Sequence, residues 1–195
     1  MCSSTKEKIK KVALSLFAKK GYEGTTMNEI AVMVGIKKAS LYAHFNGKEG
    51  LFFSVYEDLA RDYVALMDNI MNEAESMETE AKLYHIFEQY VVYYVRNPEV
   101  QAFWNQITMF TPSDMREKFF SHVTSYDLRL HKKLEEILAE GMEKGVIRKD
   151  NVAKMAFSYR ALREGLVNWM LIIPELYKDE YIEGLWRDLW LGFNA

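Results

Sequence analysis

Residues 21–51 read GYEGTTMNEIAVMVGIKKASLYAHFNGKEGL. Thr26 can cap a short helix there, and Glu29, three residues later, completes a capping box. Gly35 should end that helix, because glycine readily adopts the positive φ that a tight turn requires. A second short helix is predicted over about residues 37–45, before an Asn-Gly breaker. The stretch therefore predicts two short helices joined by a glycine turn.

Such a pair forms a helix-turn-helix unit when three physical demands are met. The crossing point needs small or apolar residues, the turn needs a glycine, and the second helix needs a polar, basic outer face. The first two demands are met by Ala31, Gly35, Ile36 and Leu41, and the third by Lys37, Lys38, Ser40 and His44. Short helix–glycine–helix segments also occur in proteins that never bind DNA, so the pattern alone leaves both interpretations open.

Charge is distributed unevenly along the 195 residues. Residues 1–48 hold nine Lys and three Glu, a balance of +6. The remaining residues hold 16 basic and 25 acidic side chains, a balance of −9, which gives −3 overall. A basic end on an acidic body favours contact with a polyanion, although a solvated helix face has the same composition.

The rest of the chain is predicted to be helical nearly throughout, since it has three prolines in all and no alternating run long enough for a sheet. Apolar residues at helical spacing predict a helix over about residues 5–20, with Thr5 as its cap. Six longer helices are expected at about 48–73, 80–96, 98–110, 113–145, 151–173 and 179–193. The predicted fold class is all-α, with an N-terminal three-helix domain over residues 1–47 and a C-terminal six-helix domain over residues 48–195.

The motifs of this stretch resemble the N-terminal DNA-binding domain of tetracycline-repressor (TetR) family regulators, over about residues 5–55. The resemblance is carried by Phe17, Gly21-Tyr22, Thr25-Thr26, Ile30-Ala31, Gly35-Ile36, Leu41-Tyr42-Ala43-His44-Phe45 and Lys48-Glu49-Gly50-Leu51. Two positions depart from the family pattern: Lys37 replaces a Ser or Thr cap, and Ala39 replaces a Gly. Lys37 cannot accept a hydrogen bond from a helix N–H, but it brings a cation close to where a phosphate would lie.

The resemblance implies a DNA-binding transcriptional regulator, a repressor that a small hydrophobic effector releases from its operator. Lys38, Ala39 and Ser40 begin the recognition helix, where side chains reach base edges. Lys38 suits guanine O6 or N7, Ala39 a thymine methyl group, and Ser40 either base type. The family positions that hold phosphates are occupied by Thr26, Tyr42, His44 and Lys48. A surface role for His44 and core packing for Tyr42 are the alternatives.

The last two predicted helices carry wide apolar stripes rich in tryptophan. Such stripes fit either the core of one chain or a four-helix interface between two copies, where Trp and Tyr are enriched. The resemblance implies the interface, in a homodimer that reads a near-palindromic operator. The residues assigned to it are Tyr159, Leu162, Leu166, Trp169, Leu185, Trp186, Leu189 and Trp190.

The middle helices are rich in aromatic residues, most of which are expected in the core. The resemblance implies that part of the set lines an effector cavity between the fourth and seventh helices. The residues assigned to this cavity are Phe87, Tyr90, Tyr94, Trp104, Ile107, Phe119, His122 and Tyr126. Aromatic walls in an acidic body suit hydrophobic effectors, cationic ones included, through cation–π contacts.

Catalytic and metal-binding signatures are missing from the sequence: it has no Gly-rich phosphate loop, no HExxH and no Cys/His pair at metal spacing. We therefore expect no enzyme activity, catalytic residue, metal or cofactor. The lone Cys2, and the lack of a signal peptide or an 18-residue apolar run, favour a cytoplasmic protein that does not contact a membrane. An all-helical small-molecule-binding protein or enzyme with an incidental basic head is the alternative function, and an interaction module is a third.

Overall fold

A computed structural model of the chain describes residues 4–110 and 113–194, without the side chains of residues 113–116 and 118–127. The helices are α1 Thr5–Lys20, α2 Met27–Val34, α3 Lys38–His44, α4 Gly47–Glu73, α5 Thr79–Arg96, α6 Pro98–Phe110, α7 Ser113–Glu143, α8 Val152–Ile172 and α9 Asp179–Phe193, with a 3-10 turn at Pro174–Leu176. One isolated bridge, between Ile147 and Asn194, is the only β-structure in the described residues. The predicted all-α fold is confirmed.

The first helix begins with a reciprocal cap. Ser4 Oγ accepts from the Glu7 N–H at 3.2 Å, and the Ser4 N–H donates to Glu7 Oε2 at 2.8 Å. The predicted Thr5 cap is therefore wrong by one residue, because Thr5 already lies within α1. Both serine and threonine can cap a helix, so composition alone did not distinguish the two neighbours.

The second helix begins at Thr26, as predicted, and Thr26 Oγ1 accepts from the Glu29 N–H at 3.2 Å. Glu29 does not complete the predicted capping box. Its carboxylate accepts instead from Lys20 Nζ at 2.5 Å, which ties the end of α1 to the start of α2. Long-range pairing has thus displaced the local hydrogen bond that the sequence pattern predicts.

Two compact units divide the chain. The first, unit 1, contains the described residues up to 63 and residues 97–119, apart from residues 111 and 112; it therefore includes α6 and the first part of α4. Its core is aromatic: the ring of Phe17 lies 4.8 Å from that of Phe52, which lies 5.2 Å from that of Phe103. The predicted boundary at residue 47, between a DNA-binding and an effector-binding domain, stays a prediction. Unit 1 itself extends beyond that residue.

Helix α6 packs closely on α1 within unit 1. Ser15 Oγ donates to Glu99 Oε1 at 2.8 Å. A Cβ added at Gly21 would lie 2.8 Å from the side-chain oxygen of Gln106, and Gly21 also has a φ of 69°. The positive φ favours glycine at this position, whereas the flexible Gln106 side chain could move away from a Cβ.

The second compact unit, unit 2, contains residues 64–96 and 120–194, and its core is formed by α5, α8 and α9. Tyr159 is fully enclosed, and its hydroxyl donates to the Leu83 carbonyl at 2.7 Å. The ring of Phe87 lies 6.0 Å from that of Tyr159 and 5.8 Å from that of Trp186. Burial raises the pKa of the Tyr159 phenol, so this residue acts as a neutral hydrogen-bond donor.

Each unit contains a carboxylate held by two cations. In unit 1, Asp58 accepts from Lys10 Nζ at 2.5 Å and from Arg61 Nη2 at 2.6 Å. In unit 2, Asp68 accepts from Arg129 Nη2 at 2.8 Å and from Lys133 Nζ at 3.2 Å. Burial opposes ionisation, but the hydrogen bonds and charges of the basic partners outweigh it and lower the pKa of both carboxyls.

We expect the stability of the protein to fall in acid partly through these two carboxyls. A carboxyl whose pKa is lowered by folding stabilises the fold above its unfolded pKa of about 4, and this stability is lost as pH falls through the folded pKa. The free energy of unfolding, measured by urea denaturation, should therefore drop between about pH 5 and pH 3. The drop should be smaller in Asp58→Asn and Asp68→Asn. Glu75→Gln, which removes a charge from an exposed position, is the control, and identical slopes in all four proteins would contradict the prediction.

Candidate functional site

The turn between α2 and α3 is built on Gly35, which has the left-handed conformation, with φ 80° and ψ 32°. Its N–H and that of Ile36 both donate to the Ala31 carbonyl at 3.0 Å. A Cβ at Gly35 would meet nothing within 4 Å, so the backbone conformation, and not crowding, requires glycine here. Leu41, on the inner face of α3, is fully buried and thereby determines which face of that helix points outward.

The outward face of α3 carries the residues that the sequence assigned to DNA. Lys37, Lys38, Ala39, Ser40, Tyr42 and His44 are all exposed. Tyr42 is 49% exposed, so it does not pack in the core with its neighbours Leu41 and Phe45. The ammonium of Lys38 lies 5.9 Å from the centre of the Tyr42 ring. Six of the eight predicted DNA-binding residues therefore share one exposed segment.

The start of α3 has the weak cap that Lys37 predicts. Lys37 stands at the N-cap position with extended backbone, and its side chain makes no capping hydrogen bond. Thr26, the seventh predicted residue, is exposed at the N-cap of α2, where its oxygen accepts a backbone hydrogen bond. Its hydroxyl proton can still be donated to an acceptor in solution.

The acidic residues of the first 48 are all engaged by other groups. Glu7 belongs to the cap of α1, Glu29 pairs with Lys20, and Glu23 lies 3.9 Å from the ammonium of Lys48. Each carboxylate is thus partly neutralised by its own neighbours. The exposed lysines of α3 have no acidic residue beside them in sequence between residues 30 and 48, and their field reaches solvent with little cancellation.

Lys48, the eighth predicted residue, is held more tightly than a free phosphate-binding lysine. Its ammonium donates to the Tyr22 carbonyl at 2.8 Å and lies 4.1 Å from the centre of the Tyr22 ring. That ring packs edge-on against Phe52, with centroids 5.1 Å apart. Lys48 therefore joins the start of α4 to the loop after α1, a structural role that the sequence did not indicate.

The residues assigned to an effector cavity do not all lie in the same unit. Phe87, Tyr90 and Tyr94 are buried in unit 2, and the rings of Tyr90 and Tyr94 lie 4.7 Å apart. Trp104 and Ile107 belong to unit 1. The remaining three, Phe119, His122 and Tyr126, have side chains outside the described residues.

Trp104 has one unusual feature within unit 1. Its ring packs edge-on to that of Tyr56, with centroids 5.5 Å apart. Its indole N–H is buried and makes no hydrogen bond to any described residue. A buried indole N–H normally has an acceptor, so the absence of one among the described side chains is a departure from the usual pattern.

Arg163 is a buried residue that sequence reasoning missed. It lies on α8, is 4% exposed, and its guanidinium carbon sits 3.6 Å from the centre of the Tyr90 ring. One signal was present: an arginine four residues after Tyr159 falls on the same face of α8 as that buried tyrosine.

The residues assigned to a dimer interface fall into two groups. Tyr159, Leu166, Trp186 and Trp190 are buried inside unit 2, and each exposes less than a tenth of its surface. Leu162, Leu185 and Leu189 are half-buried, and Trp169 is 56% exposed. The large apolar residues that are exposed on these helices but were not assigned are Phe157, Ile172, Tyr181 and Leu191.

No group of three or more His, Cys, Asp or Glu side chains in the described residues is placed to hold a metal ion. None of the described helices combines the length and apolar character needed to cross a membrane.

Residues 9–55 match the family model for bacterial regulatory proteins of the tetR family. The chain is 40% identical over 88 residues to IcaR of Staphylococcus aureus (strain Newman), the biofilm operon icaADBC HTH-type negative transcriptional regulator. That match covers 44% of this chain and 45% of IcaR, so it spans less than half of either protein.

Two solved structures share the whole fold. The ketosteroid transcriptional regulator KstR2 of Mycobacterium tuberculosis has a TM-score of 0.78 at 19% identity, covering 100% of this chain and 97% of KstR2. AibR, in complex with isovaleryl coenzyme A and operator DNA, has a TM-score of 0.73 at 19% identity, covering 96% of each chain. At these identities the likeness establishes the fold.

The contacts of Lys48 predict a measurable effect on stability. Lys48→Met keeps the aliphatic stem but removes the hydrogen bond to Tyr22 and the cation–π contact, so we expect a loss of about 1–3 kcal/mol in the free energy of unfolding. Lys38→Met removes only an exposed cation and should change stability by less than about 0.5 kcal/mol. Urea denaturation followed by circular dichroism measures both variants. Equal stabilities would show that the contacts of Lys48 contribute nothing to the fold.

Proposed function

We propose that this chain is a transcriptional repressor of the tetR family of bacterial regulatory proteins, and that it binds a near-palindromic operator as a homodimer. The observation that carries the proposal is the exposed basic face of α3, presented by a glycine turn of left-handed conformation. Selection of bound fragments from the genomic DNA of the source organism, followed by a salt-dependent mobility shift, tests it.

The α3 face suits both kinds of DNA contact. Lys38, Ala39 and Ser40, at the start of the helix, are the residues proposed to read base edges. Thr26, Lys37, Tyr42, His44 and Lys48 are the residues proposed to contact phosphates. Phosphate contacts set the position of the protein on the duplex, while base contacts supply sequence preference.

A second copy of the chain is the proposed partner of α8 and α9. Phe157, Trp169 and Ile172 lie on α8 at helical spacing and are at least 56% exposed. Between them, Gly165 has nothing within 4 Å of the position of a Cβ, and Gly184 on α9 is equally open. An exposed aromatic face with a small residue at its centre allows close packing of helices from two copies.

An effector that binds the body is proposed to release the DNA. The buried aromatic residues Phe87, Tyr90 and Tyr94 support an apolar ligand. AibR, of the same fold, has been solved with both isovaleryl coenzyme A and operator DNA. An effector can release operator only if it binds the DNA-incompetent state more tightly, and operator must then weaken effector binding by the same factor.

The two types of DNA contact predict different mutant behaviour. Lys38→Ala should change sequence preference, at a cost of about 1–3 kcal/mol that is specific to one base pair. Lys48→Ala should weaken binding to all sequences and reduce the slope of log K against log salt concentration by about one. Fluorescence anisotropy with operator and scrambled duplexes, at several salt concentrations and at a temperature where both variants are folded, measures this. If both variants bind every duplex like wild type, α3 is not the recognition helix.

The exposed face of α8 predicts the oligomeric state. Wild type should sediment as a dimer at micromolar concentration without DNA, and Trp169→Asp should sediment as a folded monomer, because dimerisation would bury an unpaired charge. Tyr177→Asp places the same charge at an exposed position outside α8 and α9 and should leave the dimer intact. Trp186→Asp should instead unfold the chain, since Trp186 is 6% exposed. A monomeric wild type would end the proposal of a dimer.

A further inference from the structure

Helix α1 is rich in lysine, and the side of the helix on which a lysine lies determines what it meets. Lys6, Ile9 and Ala13 follow one another at intervals of three and four residues, so they share one face. Ile9 and Ala13 are fully buried in unit 1, whereas Lys6 is exposed. Lys6 therefore continues the inner face of α1 to the surface of the unit.

At that surface Lys6 reaches the end of α3. Its ammonium lies 5.6 Å from the centre of the Phe45 ring. Phe45 is buried at the C-cap of α3 and directly follows His44, an exposed residue proposed to contact phosphate. Lys6 thus adds a cation to the end of α3, although it belongs to a different helix.

The contact with Phe45 leaves the charge of Lys6 intact. Two other lysines of α1 donate to carboxylates, Lys10 to Asp58 at 2.5 Å and Lys20 to Glu29 at 2.5 Å, and these carboxylates offset their charges. Lys6 forms no salt bridge with any described residue. A phenyl ring attracts a cation through its quadrupole and carries no net charge. The ring therefore positions the ammonium without neutralising it.

Together with Lys37, Lys6 places cations at both ends of α3. The helix has 7 residues, and at a rise of 1.5 Å per residue its length is about 10 Å. This length is close to the width of the major groove of B-DNA, about 12 Å. A hydrogen bond to a phosphate oxygen spans only about 3 Å. Cations at opposite ends of α3 are thus placed to contact different phosphates.

We propose that Lys6 contacts a phosphate of the DNA backbone at the end of α3 that is opposite to Lys37. The contact adds affinity for every sequence and selects none, because phosphates are the same at each base pair. The inference rests on the proposed function, since it requires that α3 binds DNA. It extends the proposed interface to α1, whose lysines the sequence motif did not assign.

The test compares two lysines on different sides of α1. Lys6→Met keeps an aliphatic side chain beside Phe45 and removes the charge. Lys11→Met makes the same change at an exposed position that is turned by about 140° from Lys6 around the helix axis. Lys6→Arg keeps the charge. Circular dichroism establishes a temperature at which all three variants are folded.

Fluorescence anisotropy then measures binding to the selected genomic fragment and to a random duplex of the same length, between about 50 and 200 mM salt. Lys6→Met should bind both duplexes more weakly than wild type. Its slope of log K against log salt concentration should fall by about one for each subunit that contacts the DNA. Lys11→Met and Lys6→Arg should keep the wild-type slope. An unchanged slope in Lys6→Met, or equal losses in Lys6→Met and Lys11→Met, would overturn the inference.

Duplexes in which one phosphate is replaced by a neutral methylphosphonate locate the contact. The replacement that weakens binding of wild type but not of Lys6→Met identifies the phosphate that Lys6 contacts. Lys37→Met should show this coupling at a different phosphate. Coupling of both variants to the same phosphate, or of Lys6→Met to none, would contradict the proposed geometry.

The behaviour of wild type separates this inference from the proposed function. A wild type that binds neither the genomic fragments nor the random duplex would refute the repressor proposal and the role of Lys6 together. A wild type that binds the selected fragment with a steep salt slope, matched by Lys6→Met, would refute the role of Lys6 alone.

Discussion

The packing of Phe52 and Phe103 against Phe17 is the constraint on which helices α1 to α3, the proposed DNA-binding helices, depend. Three short helices within about 45 residues bury little apolar surface by themselves, so their stability alone is marginal. Here Phe52, from α4, and Phe103, from α6, complete their core. The ring centroid of Phe52 lies 4.8 Å from that of Phe17 and 5.2 Å from that of Phe103. Helices α4 and α6 are therefore structural parts of the unit that holds α2 and α3. Any change that moves either helix must also repack the core beneath α2 and α3.

Features determined by a few neighbouring residues were predictable from the sequence. The left-handed turn at Gly35, the Thr26 cap and the uncapped start of α3 at Lys37 all follow from the chemistry of one or two side chains. The errors at Ser4 and Glu29 show the limit of such rules. Two adjacent residues can both cap a helix, and a distant lysine can take the carboxylate that a local pattern assigns elsewhere.

Features determined by tertiary packing were less predictable. The apolar stripe of α9 is wide enough for two contacts, and periodicity does not say which part of it faces the core of its own chain. The structure buries Trp186 and Trp190 against each other, with their rings stacked 5.8 Å apart, and leaves Trp169 of α8 exposed. The prediction of aromatic residues in the body was similarly incomplete, because it considered the rings without the arginine that lies over one of them. A charged residue inside an apolar stripe is therefore the observation that sequence reasoning should examine first.

Helix α3, the proposed recognition helix, is positioned by residues other than those proposed to contact DNA. A seven-residue helix without a side-chain cap does not form in isolation, because nucleation costs more than so few hydrogen bonds return. Its position is fixed from below by Leu41 and Phe45, both buried, and from its start by the conformation of Gly35. Gly35 forms the turn, and Leu41 and Phe45 face the interior. The exposed residues Lys38, Ala39 and Ser40 are not part of the core. The positions proposed to read bases are thus free to vary without loss of stability, whereas the residues that position them are not. This separation lets one scaffold present many different recognition surfaces, and it explains why Ala39 and Lys37 can depart from the family pattern without disturbing the fold.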